Sequence, residues 1–143
     1  MLSTKNKSIN IWLLVGSLFI LIIGIIIAIS ILQPSPQKTV KKYFNYIGKE
    51  DYKNAYSLLS GNYQKSKGSL EEFTAIFVNA RNHGTVYGEA RINRVRSTSR
   101  KSQKIVAFTL TTREKGKPSQ ATGQYILIYD KETKNWKIAD SIE

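Results

Sequence analysis

Three observations predict an α+β domain carried behind an N-terminal transmembrane helix: an uncharged apolar run over residues 9–32, three amphipathic helical stripes between residues 36 and 84, and four alternating stretches from residue 85 onward. The expected layout is a short basic tail over residues 1–8, the membrane helix over 9–32, a linker over 33–35, and one domain over 36–143. That domain is expected to pack three helices on a curved four-stranded antiparallel sheet.

The apolar run is mostly Ile, Leu, Val and Phe, with no charged residue to oppose insertion into lipid. As a helix it would reach about 36 Å, against a hydrocarbon core of about 30 Å, so it can cross a bilayer with some tilt. Lys5 and Lys7 form a basic head, and Ala28-Ile29-Ser30 is a loose match to a signal-peptide cleavage site. The stretch before that site exceeds the usual signal-peptide core, which favours a retained anchor. A buried core helix, apolar all round, would need a larger protein around it. Lysines flank the run on both sides, so the positive-inside count alone is ambiguous. Lys38, Lys41 and Lys42 fall in a folded segment, however, which leaves Lys5 and Lys7 to set a cytoplasmic N-terminus and an extracytoplasmic domain.

With no cysteine, disulfides, thiolate chemistry and lipid-modified cysteine are excluded, and the domain must hold together by packing. Two of the 22 cations precede the apolar run and all ten acids follow it, which leaves the domain at about +10. Such a charge suits an acidic partner: a protein face, anionic lipid or an envelope polyanion.

Ser35 followed by Pro36 reads as an N-cap with proline at the first helical position. Val40, Tyr43, Phe44 and Ile47 then form one stripe, which Gly48 is expected to end. Asp51 starts a second helix with the stripe Tyr52, Ala55, Tyr56 and Leu59, expected to stop at Ser60-Gly61. Ser69-Leu70-Glu71-Glu72 is a capping box opening a third helix, with Leu70, Phe73, Ile76, Phe77 and Ala80 as its buried face and Asn82-His83-Gly84 as its exit. Strands are expected over 85–98, 104–113, 120–130 and 135–140, in a meander. Val86, Ala90 and Ile92 share a face while Val95 is out of phase, which predicts a β-bulge near Asn93.

This order, together with Asp51-Tyr52-x-x-Ala55-Tyr56-x-Leu58-Leu59-Ser60 and the terminal Asn135-Trp136-Lys137-Ile138-x-Asp140, resembles the nuclear transport factor 2-like superfamily of cone-shaped, cystatin-like α+β domains. Physical causes stand beside the resemblance: Ala55 permits close helix packing, the tyrosines cover the mouth of the sheet, and Trp136 seals one end of the core. The resemblance implies a membrane-anchored bacterial envelope protein, since anchored members include assembly subunits of type IV secretion and conjugation machines. It also implies that an enzyme of this kind would carry an Asp or His acid-base pair inside the cone.

Residues for such chemistry are scarce. His83, the single histidine, sits at a helix exit, while Asp51, Asp130 and Asp140 read as cap, turn and strand end. No cofactor and no metal site are expected, and the chain reads as a non-enzyme. Tyr43, Tyr46, Tyr56, Tyr63, Tyr125 and Tyr129 are candidates to line a pocket for a small lipophilic ligand, although tyrosine at helix and strand spacing is more often half-buried packing. Arg91, Arg94, Arg96, Arg100, Lys101 and Lys104 form a run of cations without an acid, which serves either as a solvated sheet edge or as a patch for carboxylate or phosphate. Nucleic acid is disfavoured because no aromatic residue interleaves the run to stack bases. The expected role is a single-pass assembly subunit that binds a protein partner or a second copy of itself. A ligand-binding or catalytic pocket held at the membrane surface is the alternative.

Overall fold

The computed structural model describes residues 15–25 and 34–142. The chain forms two compact units, Met1–Gln33 and Pro34–Glu143. In the first, residues 15–25 are helical and exposed. Among the described residues no helix is long and apolar enough to cross a membrane, and the rest of the expected 9–32 helix lies outside them.

The second unit is α+β, in the order α1 (Pro36–Gly48), α2 (Tyr52–Ser57), α3 (Gly61–Lys67), α4 (Leu70–Asn82), β1 (Thr85–Ser97), β2 (Gln103–Glu114), β3 (Lys117–Asp130) and β4 (Asn135–Ile142). Ser35 caps α1, its hydroxyl accepting the Lys38 amide at 3.2 Å, and Pro36 follows at the first turn as expected. Val40, Tyr43, Phe44 and Ile47 are buried on the face the sequence stripe marks. Gly48 is not the left-handed exit. Lys49 is the C-cap, and Glu50 takes the left-handed conformation at φ 62°. Gly48 stands where a β-carbon would come within 3.0 Å of the Tyr87 carbonyl oxygen, so its small size serves the approach of α1 to β1.

In this unit four helices, not the expected three, precede the sheet among the described residues. Asp51 caps α2 through the Asn54 amide, but the helix ends at Ser57, because residues 58–60 leave it to run beside β4. The Ser60 amide donates to the Ile138 carbonyl at 2.7 Å, and the Ile138 amide donates to the Leu58 carbonyl at 2.9 Å. Ser60-Gly61, expected as a stop, is instead the start of α3, with the Ser60 hydroxyl accepting the Tyr63 amide. Only Tyr63 is buried on α3, so it has no apolar stripe to reveal it. The capping box at Ser69 and Glu72 forms both of its bonds. On α4, Phe73 is buried and Leu70 and Phe77 pack against the core, whereas Ile76, expected inside, is exposed.

The sheet is an antiparallel meander in the order β1-β2-β3-β4. Lys115 and Gly116 close the β2–β3 hairpin, both at positive φ, as a type I′ turn requires. The register of β1 slips between Ile92 and Arg94, where a bulge at Asn93 is expected, and also between Tyr87 and Ala90. The second slip, which no sequence pattern marks, reverses the phase before it. Tyr87, opposite Thr112, faces the core and meets Phe77, while Val86 is exposed.

Ala90, Val106, Phe108, Leu110, Leu127 and Ile138 bury one face of the sheet against the helices. The opposite face carries Ile105, Ala107, Ile126 and Ile128, all half-buried. Residues 58–60 pair with the outer edge of β4 at Ile138, while among the described residues no strand pairs with the free edge of β1.

Candidate functional site

Three of the six tyrosines meet. Tyr43 from α1, Tyr63 from α3 and Tyr125 from β3 line a cavity of about 210 Å³, closed by Phe73 and Phe77 of α4 and by Lys67. Tyr43 and Tyr125 pack edge to face with centroids 5.9 Å apart, and the Lys67 ammonium lies 4.9 Å from the Tyr63 ring centre. Lys67 is four residues beyond Tyr63 on α3, a helix the periodicity does not disclose. Burial, reinforced by neighbouring phenols, pushes the Tyr43 and Tyr125 hydroxyls well above the ordinary tyrosine range, so both stay protonated through neutral pH. Tyr56 adjoins this group through Phe73 but donates its hydroxyl to the Gly68 carbonyl at 2.7 Å. Tyr46 packs against the core and Tyr129 lies against Trp136, so neither lines the cavity.

The arrangement is poor in acid-base groups. His83 caps α4, its Nδ1 2.8 Å from the Asn79 carbonyl oxygen. Asp51 is the α2 cap, and Asp130 accepts from the Thr133 hydroxyl and the Glu132 amide in the β3–β4 turn, bonds that hold its carboxyl below the usual range. Asp140 accepts from the Ser141 amide. Among the described residues no group of His, Cys, Asp or Glu is placed to hold a metal ion.

The six cations divide by position. Val95 and Val106 are paired on the core face, so Arg94 opposite Ala107 and Arg96 opposite Ile105 lie on the uncovered face, as does Arg91 opposite Thr109. Arg100 and Lys101 occupy the β1–β2 turn. Lys104 shares the core-side parity of Val106 and turns its ammonium to the Ser97 hydroxyl at 2.7 Å. Among the described residues the one ion pair joins Arg81 to Glu50, so the five exposed cations of this group have no carboxylate within the domain.

A shallow groove of about 550 Å³, lined by Ser57, Ser60, Gln64, Asp130 and Lys137 among others, runs beside β4. No sequence signal marks it, because its walls come from distant segments that meet where residues 58–60 pair with Ile138 and the Lys137 ammonium donates to the Ser57 carbonyl.

The domain shares its fold with a ketosteroid isomerase-like protein. That protein, from Erwinia carotovora atroseptica, superposes with a TM-score of 0.52 at 12% identity, over 75% of this chain and 93% of that one. A protein from Campylobacter jejuni described as an NTF2-like transpeptidase gives 0.49 at 14% identity, over 74% and 98%. The intermembrane space region of the chloroplast protein ARC6 gives 0.47 at 15%, over 74% and 91%. No curated protein matches the sequence. Residues 37–141 match the family described as a domain of unknown function, DUF4829, and the chain belongs to that family.

Proposed function

We propose that this protein is a non-catalytic, single-pass membrane subunit whose extracytoplasmic domain binds an acidic protein partner. The carrying observation is the placement of Arg91, Arg94 and Arg96 together on the uncovered side of edge strand β1, beside half-buried Ile105 and Ala107 and without an internal carboxylate. Exposed arginine next to an apolar strip offers bidentate contacts to carboxylates and desolvated area at once, the combination that marks protein interfaces. The anchor is supported by the uncharged run over residues 9–32, whose described portion, 15–25, is an exposed helix. Scarce acid-base groups around the tyrosine cavity argue against catalysis.

A second reading, a small lipophilic ligand held beside the membrane, is favoured by that cavity, with its aromatic walls and a few hydroxyls. It ranks lower because about 210 Å³ is below the usual size of a ligand site, about 300 Å³ and upward. Isolation of the full chain from membranes in mild detergent separates the two. A stoichiometric protein partner lost on reversal of Arg91 and Arg94 supports the first reading, and a retained small molecule with no protein partner supports the second.

A further inference from the structure

The end of the domain at which the chain enters is also a basic, aromatic tip. Thr39, in the first turn of α1, donates its hydroxyl to the Trp136 carbonyl at 3.4 Å. Trp136 pairs with Tyr129 across β3 and β4, and the Tyr129 amide donates to the Ser102 carbonyl at 2.8 Å. Ser35, the β1–β2 turn and the β3–β4 turn are thereby gathered at one end. That end holds Arg96, Arg100, Lys101, Lys104, Lys131 and Lys134, against the carboxylates of Asp130 and Glu132. Asp130 is occupied by its own turn.

Only Gln33 separates the apolar run from Pro34. At most about 3.5 Å per residue, the segment from Gln33 to Ser35 reaches about 10 Å, close to the ~8 Å screening length of physiological salt. If residues 9–32 are anchored, Ser35 stays within about 10 Å of the bilayer surface while the domain is free to tilt about it. The charge of the turns around Ser35 therefore decides whether they meet that surface. The Lys115-Gly116 hairpin lies at the opposite end of the strands. We infer that the entry end of the domain, centred on Arg100, Lys101, Lys131 and Lys134, is a docking surface for anionic phospholipid headgroups, with the Tyr129–Trp136 pair at its base. The docked state fixes which side of the domain faces outward and leaves Arg91 and Arg94, further down β1, clear of the bilayer for a protein partner. This rests on the anchored reading above.

The chain has no cysteine, so single reporters are simple to place. Full-length Ser99→Cys, at the tip, and Gln120→Cys, toward the far end of the sheet, are labelled with a donor dye. Each is reconstituted in nanodiscs carrying acceptor-labelled lipid, in phosphatidylcholine alone or with phosphatidylglycerol at about 2:1, so that the surface potential is the variable. Transfer from position 99 should exceed that from position 120 in anionic discs. It should fall about threefold or more in neutral discs, in high salt, or with Arg100→Glu and Lys101→Glu together. Transfer from position 99 that ignores lipid composition, salt and charge reversal overturns the proposal. So does a charge-reversed chain that keeps its lipid contact but loses an acidic protein partner, since the tip then serves the partner. Loss of the chain from the discs in alkaline carbonate overturns the anchor and the proposal together. A retained chain whose tip is no nearer the lipid overturns the proposal alone.

Discussion

Gly123 on β3 faces Phe108 on β2 so closely that a β-carbon at Gly123 would stand 2.8 Å from the Phe108 Cζ. The ring is locked, because Phe44 lies 4.9 Å and Tyr125 5.0 Å from it, centre to centre. Gly123→Ala should therefore destabilise the domain by about 1–3 kcal/mol through overpacking. Denaturant unfolding of residues 34–143 tests this, and a change within error would show that the core yields at this point.

Phe73 is the opposite case, a ring whose removal leaves a void. It is 2% exposed and touches Tyr43, Tyr56 and Phe77. Phe73→Ala should cost about 3–5 kcal/mol and enlarge the tyrosine cavity. Binding of a small aromatic probe by the variant but not by the parent would report the enlarged space directly.

Ser69→Ala removes the hydroxyl that accepts the Glu72 amide and leaves the first turn of α4 short of one partner. A loss of about 1 kcal/mol is expected. Ser69→Asp, which keeps an acceptor at the cap, should retain most of it in the same unfolding measurement.

Arg91→Glu with Arg94→Glu should weaken partner binding more than tenfold, and the parent complex should weaken with added salt. Both side chains are exposed, so the unfolding free energy should move by no more than about 0.5 kcal/mol. Unchanged affinity would mean that these arginines only guard the sheet edge.

The buried phenols give the stability a sign in alkali. Folding raises the pKa of Tyr43 and Tyr125, so their contribution is complete below the ordinary value of 10.0, where both states are protonated. Above that pH the unfolded chain gains by ionising and stability falls. Tyr43→Phe should shallow this alkaline decline, read by the stability of parent and variant on either side of pH 10. Asp130 acts in the other direction: its folded pKa is depressed, so its contribution is present above 3.8 and disappears as pH falls through and below that value.

Local chemistry was legible in the sequence and convergence was not. The α1 stripe, the box at Ser69 and the bulge at Asn93 each depend on neighbours within a few residues, and each is found as read. Helix α3 was missed because a single buried residue, Tyr63, carries no period, and Val86 was misplaced because a second slip in β1 silently inverts the alternation before it. Among the tyrosines, residue type says nothing about which wall each occupies. Tyr129 belongs to the Trp136 end and Tyr43 to the cavity, a distinction made by sheet register. The same holds for the cations, where parity along β1 and β2 separates Arg94 and Arg96 from Lys104.

The strip of residues 58–60 laid along β4 has one more consequence. A sheet usually exposes two rows of unpaired amides and carbonyls, and a molecule with two such rows can serve as both the end and the beginning of a growing array. Here Leu58 and Ser60 interrupt one row at Ile138, so among the described residues β1 presents the longer unpaired row. Two copies that joined through their β1 strands would form a twofold pair whose two outer edges are both β4, each interrupted at Ile138 by the strip. Lateral growth beyond such a pair would have to get past that strip, so the segment between two short helices works against extension of the sheet.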